Sequence, residues 1–207
     1  MFCIRLRNGM IQPEGEARAS APLLMVLHGN GSNGHAEVGS WSGQASKGWL
    51  LAHPQSSQLI GDDVYVWDDW EKAAQEVREH YAVLVEKYAI DPEKVILGGF
   101  SMGGGLAIWL TLSRAIKARG FVVLGPYLRD IEALMPLLET ARTDGLRGYI
   151  IVGEQDNIGL EISRKVADLL RSHGIPCELE IRPGLKHTYP ADFGQSLAKG
   201  IAFVMQE

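Results

Sequence analysis

The feature that most restricts this chain is Gly99-Phe100-Ser101-Met102-Gly103, a G-x-S-x-G between an apolar run at 95–97 and a helical segment at 102–117. A serine in so tight a turn from strand to helix has its hydroxyl lifted clear of the sheet. Side chains two residues to either side would collide, hence Gly99 and Gly103. The helix N-terminus is then aimed at negative charge forming beside that hydroxyl. A bare five-residue match also fits a glycine-rich turn without chemistry. The flanking strand and helix favour a nucleophile.

The rest of the chain alternates in the way such a turn needs. Short apolar runs at 23–27, 49–52, 95–97, 121–124, 149–152 and 177–181 read as buried strands. Between them lie helical segments at 35–46, 70–88, 102–117, 131–142, 160–173 and 191–205. In the second of these, Ala73, Val77, Tyr81, Leu84 and Tyr88 recur at helical spacing, and Asp91-Pro92 is expected to end it. Unbroken apolar runs suit strands covered on both faces. The expected fold is therefore α/β: a mainly parallel sheet flanked by helices on both faces, with residues 2–7 as an antiparallel edge strand. With 46% hydrophobic residues and no linker or repeat, residues 1–207 read as one domain. Residues 126–147 leave room for one helix, stiffened by Pro126 and Pro136, so no separate lid domain is expected.

Ligands of such a sheet sit beyond the carboxyl ends of its strands, and the chemistry-bearing residues fall there. Ser101 needs a base. His187 stands in the loop Gly184-Leu-Lys-His-Thr-Tyr-Pro, between the last strand and the last helix. His53, at a strand end, is the competing base; His173 reads as a helix cap, His80 as a helix-face residue, and His35 as lying on a helix near the mouth. The base needs an orienting carboxylate, and Asp156 follows the strand at 149–152, with Glu154 as the alternative acid. The order Ser101, Asp156, His187 is the one a nucleophile elbow in such a sheet imposes. Two amides must stabilise an oxyanion. Met102, after the serine, supplies one; His28-Gly-Asn30-Gly31 supplies the other, with Asn30 first choice and Gly31 second. His28 reads as a structural pin for that loop.

Other signals exclude more than they assign. A net charge of −5, without a long basic run, argues against a nucleic-acid surface. No apolar stretch approaches the ~18 residues of a membrane span. The segment Met1-Phe-Cys-Ile-Arg-Leu-Arg carries charge where a signal peptide is apolar, and Cys3 and Cys177 suggest no disulfide framework, so a cytoplasmic protein is expected. Asp62, Asp63, Asp68 and Asp69 read as a solvated loop with Asp69 near a helix start, rather than a cation site. Trp67, Tyr127 and Gly31 are assigned to substrate contact, against plain packing for the two aromatics.

With these residues in hand, the chain resembles the phospholipase/carboxylesterase family of α/β-hydrolases, which includes bacterial carboxylesterases and acyl-protein thioesterases. The likeness runs through the HG-x-G loop His28–Gly31, the elbow Gly99–Gly104, the G-x-x-D loop Gly153–Asp156 and the G-x-x-H loop Gly184–His187. It implies an α/β-hydrolase fold and hydrolysis of carboxylic esters by Ser101, Asp156 and His187, without metal or cofactor, often by a homodimer. Family members usually have an apolar residue where Asn30 stands, and the stretch Tyr65–Trp70 has no clear counterpart. Short-acyl, small-molecule esters are the expected substrates. A thioesterase or acyltransferase would use the same three residues, and a binding protein on an inactive hydrolase scaffold is the rival from another class.

Overall fold

The computed structural model describes residues 2–3, 10–13 and 20–206. Strands β1 (Phe2–Cys3), β2 (Met10–Pro13), β3 (Ala21–Leu27) and β4 (Leu50–Ala52) come first, followed by β5 (Gln58–Gly61) and β6 (Val64–Val66). Strands β7 (Ile90–Phe100), β8 (Gly120–Leu124), β9 (Arg147–Gly153) and β10 (Cys177–Arg182) complete the set. Eight of them form one sheet in the order β1-β2-β4-β3-β7-β8-β9-β10, while β5 and β6 pair as a separate hairpin. From β4 to β10 every neighbouring pair in that sheet is parallel; β1 and β2 add an antiparallel edge. Of the edge strand expected at 2–7, Phe2–Cys3 is in place and residues 4–9 lie outside the described residues.

Strand periodicity decides where the core sits. Leu23, Met25 and Leu27 of β3, Val95 and Leu97 of β7, and Phe121 and Val123 of β8 face one side. There they meet helices α2 (Trp70–Lys87), α3 (Met102–Leu112), α4 (Leu138–Thr143) and α5 (Leu160–Ser172). The alternate residues Leu24, Val26, Ile96, Val122 and Leu124 face Trp41 of α1 (Gly34–Trp41) and Phe193, Leu197, Ile201 and Val204 of α6 (Phe193–Val204). Helices thus cover both faces, as the uninterrupted apolar runs required.

Several boundaries differ from expectation, each for a local reason. Residues 102–117 stop being helical at Leu112 because Arg114 turns left-handed at φ 61°. The segment 35–46 is α-helical to Trp41 and 3₁₀ over Ser42–Lys47. The segment 131–142 splits into a 3₁₀ turn, Glu132–Leu137, and α4, with Pro136, which has no N–H to donate, inside the first. Asp91-Pro92 follows the helix end at Lys87 and lies in β7; as β3 moves two residues, from Ala21 to Leu23, the β7 partner moves from Ile90 to Val95. That bulge, on exposed backbone, is where a strand tolerates proline. Residues 54–69, expected as loop, contain the β5–β6 hairpin.

Two histidines close adjacent strand ends, His28 after β3 and His53 after β4, both wholly buried. Burial pulls the His28 imidazole from its ordinary 6.5 to about 4. It pulls His53 to about 3, with the charge of His35 adding to the effect. Among the described residues neither ring nitrogen of His53 has a hydrogen-bond partner. Above pH 6.5 both folded and unfolded chains leave these rings neutral. Below it only the unfolded chain takes up the protons, so stability falls with pH until about 4 for His28 and about 3 for His53. Urea titrations at pH 7 and pH 5 should show a loss of about 1–2 kcal/mol for each of the two rings. The variant His53→Leu should show a smaller loss than wild type over that interval.

Candidate active site

The backbone at Ser101 takes φ 53°, ψ −120°, a conformation that side chains other than glycine rarely adopt. It is locked from three directions. The Ser101 N–H donates to Leu124 O at 3.0 Å, and its carbonyl accepts from Gly105 N at 3.0 Å and Tyr127 N at 2.9 Å. The turn is so close that a Cβ at Gly99 would lie 2.5 Å from the Gly103 backbone, and one at Gly103 would lie 2.2 Å from Leu27 O. The two glycines read from the sequence are therefore required by contact. Met102, the first residue of α3, has no intrahelical acceptor for its N–H.

The structure brings Ser101, His187 and Asp156 into one hydrogen-bonded chain. Ser101 Oγ is 2.9 Å from His187 Nε2, and His187 Nδ1 is 2.8 Å from Asp156 Oδ2. Asp156 is 3% exposed, and its other oxygen accepts from the Ile158 and Gly159 amides at 2.9 and 2.7 Å, which fixes the carboxylate at the start of α5. An imidazole held in this way can take a proton from the hydroxyl and remain electrostatically supported while charged. Glu154 is exposed and accepts from Gly184 N at 3.0 Å, so it braces the histidine loop rather than the ring. His53 is sealed in the core, and His173 caps α5 with its ring nitrogen 2.8 Å from Leu169 O.

The loop after β3 is held just as firmly. His28 Nδ1 lies 2.9 Å from Gly29 O, and its Nε2 accepts from Ser56 N at 3.3 Å. The amide of Gly29 donates to Glu37 Oε1 at 3.3 Å, that of Gly31 to Tyr65 O at 3.0 Å, and that of Ser32 to Gly29 O at 3.3 Å. Among the described residues the Asn30 amide has no hydrogen-bond acceptor, whereas Gly31, the second choice, has spent its own. Strand β6 is what holds the far side, since Tyr65 N returns a bond to Ser32 O at 3.0 Å.

A cleft of about 390 Å³ opens beside Ser101 and is lined by Asn30, Met102 and Tyr127. Apolar walls come from Val66, Ile60 and Ile158, and the last two are well exposed. Asp68 and Arg129, ion-paired at 2.5 Å, line it as well. Tyr127 is thus on the cleft wall. Trp67 is not. It is wholly buried, stacks on His28 with centroids 4.7 Å apart and donates from Nε1 to His28 O at 3.0 Å. Its polar edge needs a buried acceptor, and the loop carbonyl is one; Trp67 braces the loop from below the cleft. Gly31 is exposed but turned to Tyr65, outside the cleft lining. Three of the four acids in the cluster are spent on other partners: Asp69 caps α2 through Lys72 N, Asp63 accepts from Asn33, and Asp68 pairs with Arg129. Among the described residues no group of histidine, cysteine and carboxylate side chains is arranged to hold a metal ion.

Sequence reading missed Glu37 and the hairpin. Glu37 reads as one more polar residue on a short helix, and its partner Tyr189 is far along the chain. The hairpin had a signal in Gly61-Asp-Asp63 between Gln58–Gly61 and Val64-Tyr-Val66, a turn flanked by β-branched and aromatic residues.

The family described as alpha/beta hydrolase fold matches residues 22–203. The chain belongs to the α/β-hydrolase family. Among solved structures, this α/β-hydrolase is similar to an uncharacterized protein from Bacillus cereus ATCC 10987, at TM-score 0.86 and 30% identity over 93% of the present chain. It spans 62% of that protein's length. Esterase PE8 is similar at TM-score 0.75 and 20% identity, with 91% of this chain and 93% of that one covered. A carboxylesterase from Mesorhizobium loti is similar at TM-score 0.71 and 17% identity, covering 87% and 88%. The expected fold class is thus in place. Among the described residues no helix is long and apolar enough to cross a membrane.

Gly125 follows β8 at φ 49°, and a Cβ there would lie 2.8 Å from Asp156 Oδ2 and 3.2 Å from His187 Nδ1. Gly125→Ala should therefore lower the thermal midpoint and shift or abolish the low-field proton resonance of the His187 imidazole. Gly39→Ala, in α1 with nothing within 4 Å of the new methyl group, should keep that resonance and raise stability by about 0.5–1 kcal/mol.

Proposed function

We propose that this α/β-hydrolase is a serine carboxylesterase that cleaves small or short-acyl carboxylic esters through an acyl-enzyme. The observation that carries the reading is the continuous Asp156–His187–Ser101 hydrogen-bond chain, ending at a strained elbow that lines an open cleft. Ser101 Oγ attacks the ester carbonyl while His187 Nε2 takes its proton. Asp156 offsets the charge on the imidazolium, and the amides of Asn30 and Met102 receive the oxyanion. His187 then gives its proton to the departing alkoxide, which leaves as the alcohol. Water repeats the sequence on the acyl-enzyme: its proton goes to His187, its oxygen joins the acyl carbon, and Ser101 regains its hydrogen as the acid departs. The names of esterase PE8 and the Mesorhizobium loti carboxylesterase agree with this chemistry.

Short acyl groups follow from what covers the cleft. Leu134, Leu138 and Ala141, in the segment after β8 where a lid would be inserted, are buried in the core under the sheet helices. A long chain would lie along exposed surface, and each CH₂ left in water forfeits about 0.8 kcal/mol of binding. Hydrolysis of p-nitrophenyl esters from acetate to palmitate, with matching thioesters, tests the substrate class. Expected is an optimum among short acyl groups, esters ahead of thioesters, and no rate jump above the solubility limit. An optimum at laurate or longer would refute the short-acyl reading, and faster thioester cleavage would move the assignment to a thioesterase.

Ser101→Ala should lower the rate by more than about a thousandfold and abolish labelling by a fluorophosphonate probe, with an unchanged thermal midpoint within a few degrees. A wild-type protein that takes no probe and turns over no ester would instead support a binding protein on an inactive scaffold. Between the acids, Asp156→Asn should cost about two to four orders of magnitude in kcat. Glu154→Gln, which only weakens a brace on Gly184, should be mild. The reverse ranking would give Glu154 the role of the acid.

A further inference from the structure

Helix α1 places one carboxylate, Glu37, where nothing in the proposed chemistry calls for a charge. It is 5% exposed, and its hydrogen bonds come from three neutral donors. Oxygen Oε1 accepts from Gly29 N at 3.3 Å and from Ser32 Oγ at 3.4 Å. Oxygen Oε2 accepts a short hydrogen bond from the Tyr189 hydroxyl. That hydroxyl in turn accepts from Trp41 Nε1 at 3.0 Å, so its own hydrogen is free to point at Glu37. Burial, then the neighbouring Glu37 charge, push the Tyr189 phenol well above its usual range, which keeps it protonated and donating.

What these bonds join gives the carboxylate its meaning. Gly29 and Ser32 flank Asn30, whose amide has no acceptor among the described residues. Tyr189 stands two residues beyond His187, and its ring packs on Phe100 with centroids 5.1 Å apart. Phe100 precedes Ser101 and also faces the His187 ring at 4.8 Å. A single buried side chain therefore links the loop opposite the nucleophile to the loop that carries the base. A carboxylate deprived of solvation is costly, and its three donors offset that cost only while both loops keep their places.

We infer that Glu37 is a positioning residue for this site: through Gly29, Ser32 and Tyr189 it sets the Asn30 loop and the His187 loop at their working distances from Ser101. It rests on the esterase reading for its effect on rate, but not for its effect on the loops. Substrate contacts lie with other residues, so loss of Glu37 acts on the transition state, where donor placement counts, and leaves ground-state binding nearly alone. A glutamine has the same shape but must offer an NH₂ group to one set of donors, and its neutral amide oxygen accepts more weakly from the other, so both loops lose hold.

The test compares wild type, Glu37→Gln, Tyr189→Phe and the double variant in two ways. In hydrogen exchange followed by mass spectrometry, Glu37→Gln should speed exchange in peptides covering 29–32 and 186–190 and leave those covering α5 unchanged. Tyr189→Phe, which deletes one hydroxyl, should speed exchange at 186–190. In steady-state hydrolysis of p-nitrophenyl acetate, kcat should fall about ten- to a hundredfold for Glu37→Gln with KM within about twofold. The double variant should lose little beyond Glu37→Gln alone, because the Tyr189 hydroxyl acts through Glu37. Equal exchange in both loops for both single variants would overturn the proposal whatever the substrate. So would a KM effect without a kcat effect, or losses that simply multiply in the double variant. Should Glu37→Gln fail to fold, Tyr189→Phe alone still decides, through exchange at 186–190 and its kcat. Failure of the esterase reading is recognised separately, by a wild-type protein inert to ester and probe, and the exchange comparison then decides the role of Glu37.

Discussion

The left-handed turn at Ser101 is the constraint around which the rest of the molecule is arranged. A non-glycine residue held at φ 53°, ψ −120° costs on the order of 1–3 kcal/mol, and it persists only where its surroundings over-determine it. Here the surroundings are the two adjacent strand ends. Leu124 O of β8 takes the serine amide, and the carbonyls of Leu27 and His28 press against Gly103 so closely that no side chain fits between them. Helix α3 offsets the strain from the other direction. Ten of its residues, all but Trp109, are buried, so the turn that feeds it is clamped by packing on both faces of the first helical turn.

Parallel topology then brings the remaining groups to the same end without further design. Strands β3, β7, β8 and β9 run the same way, so their following loops, which carry Asn30, Ser101, Gly125 and Asp156, emerge side by side. The loop after β10 adds His187. Two loops separated in sequence are also tied directly: Glu154 Oε2 accepts from Gly184 N, and Gln155 N donates to Leu185 O at 2.8 Å, so the acid loop and the base loop move as one piece. On the opposite side the β5–β6 hairpin does the same for the Asn30 loop, through paired bonds between Tyr65 and the Gly31–Ser32 backbone.

Sequence pattern revealed the sheet and the catalytic candidates because both are written in local terms. Alternating burial along Leu23–Leu27 or Phe121–Leu124 requires only that each strand have helices above and below. The elbow is legible because two glycines at fixed offsets have one common physical cause. What stayed hidden depends on contacts between distant segments. Trp67 looks like any loop aromatic until His28 O is known to need its indole N–H. The end of α3 at Leu112 is set by Arg114, an arginine at φ 61° that no helix propensity would place there. The hairpin shows weak alternation because Leu59 and Ile60 are both exposed, so no single face declares itself. Boundaries fail where tertiary contact overrides propensity, and at 54–69 the contact is with the site itself.

The distribution of buried polar groups carries the argument one step further. His28, Glu37, Ser56 and Asp156 are all nearly inaccessible, and all lie on loops or helix starts at the end of the sheet that holds Ser101. Each has partners: His28 at Gly29 and Ser56, Glu37 at Gly29, Ser32 and Tyr189, Ser56 at Val66 O at 2.6 Å, Asp156 at His187 and two amides. An apolar packing of the same loops would cost less to bury but would not fix directions, since hydrophobic contact is indifferent to small rotations. Hydrogen bonds in a dry environment are directional, and an unmade one is expensive there. A site whose chemistry needs two amides and an imidazole aimed at one point therefore gains from polar burial what a core would lose by it. On the proposed reading, that trade lets the buried network, rather than apolar packing, aim the Asn30 and Met102 amides and the His187 ring beside an open cleft.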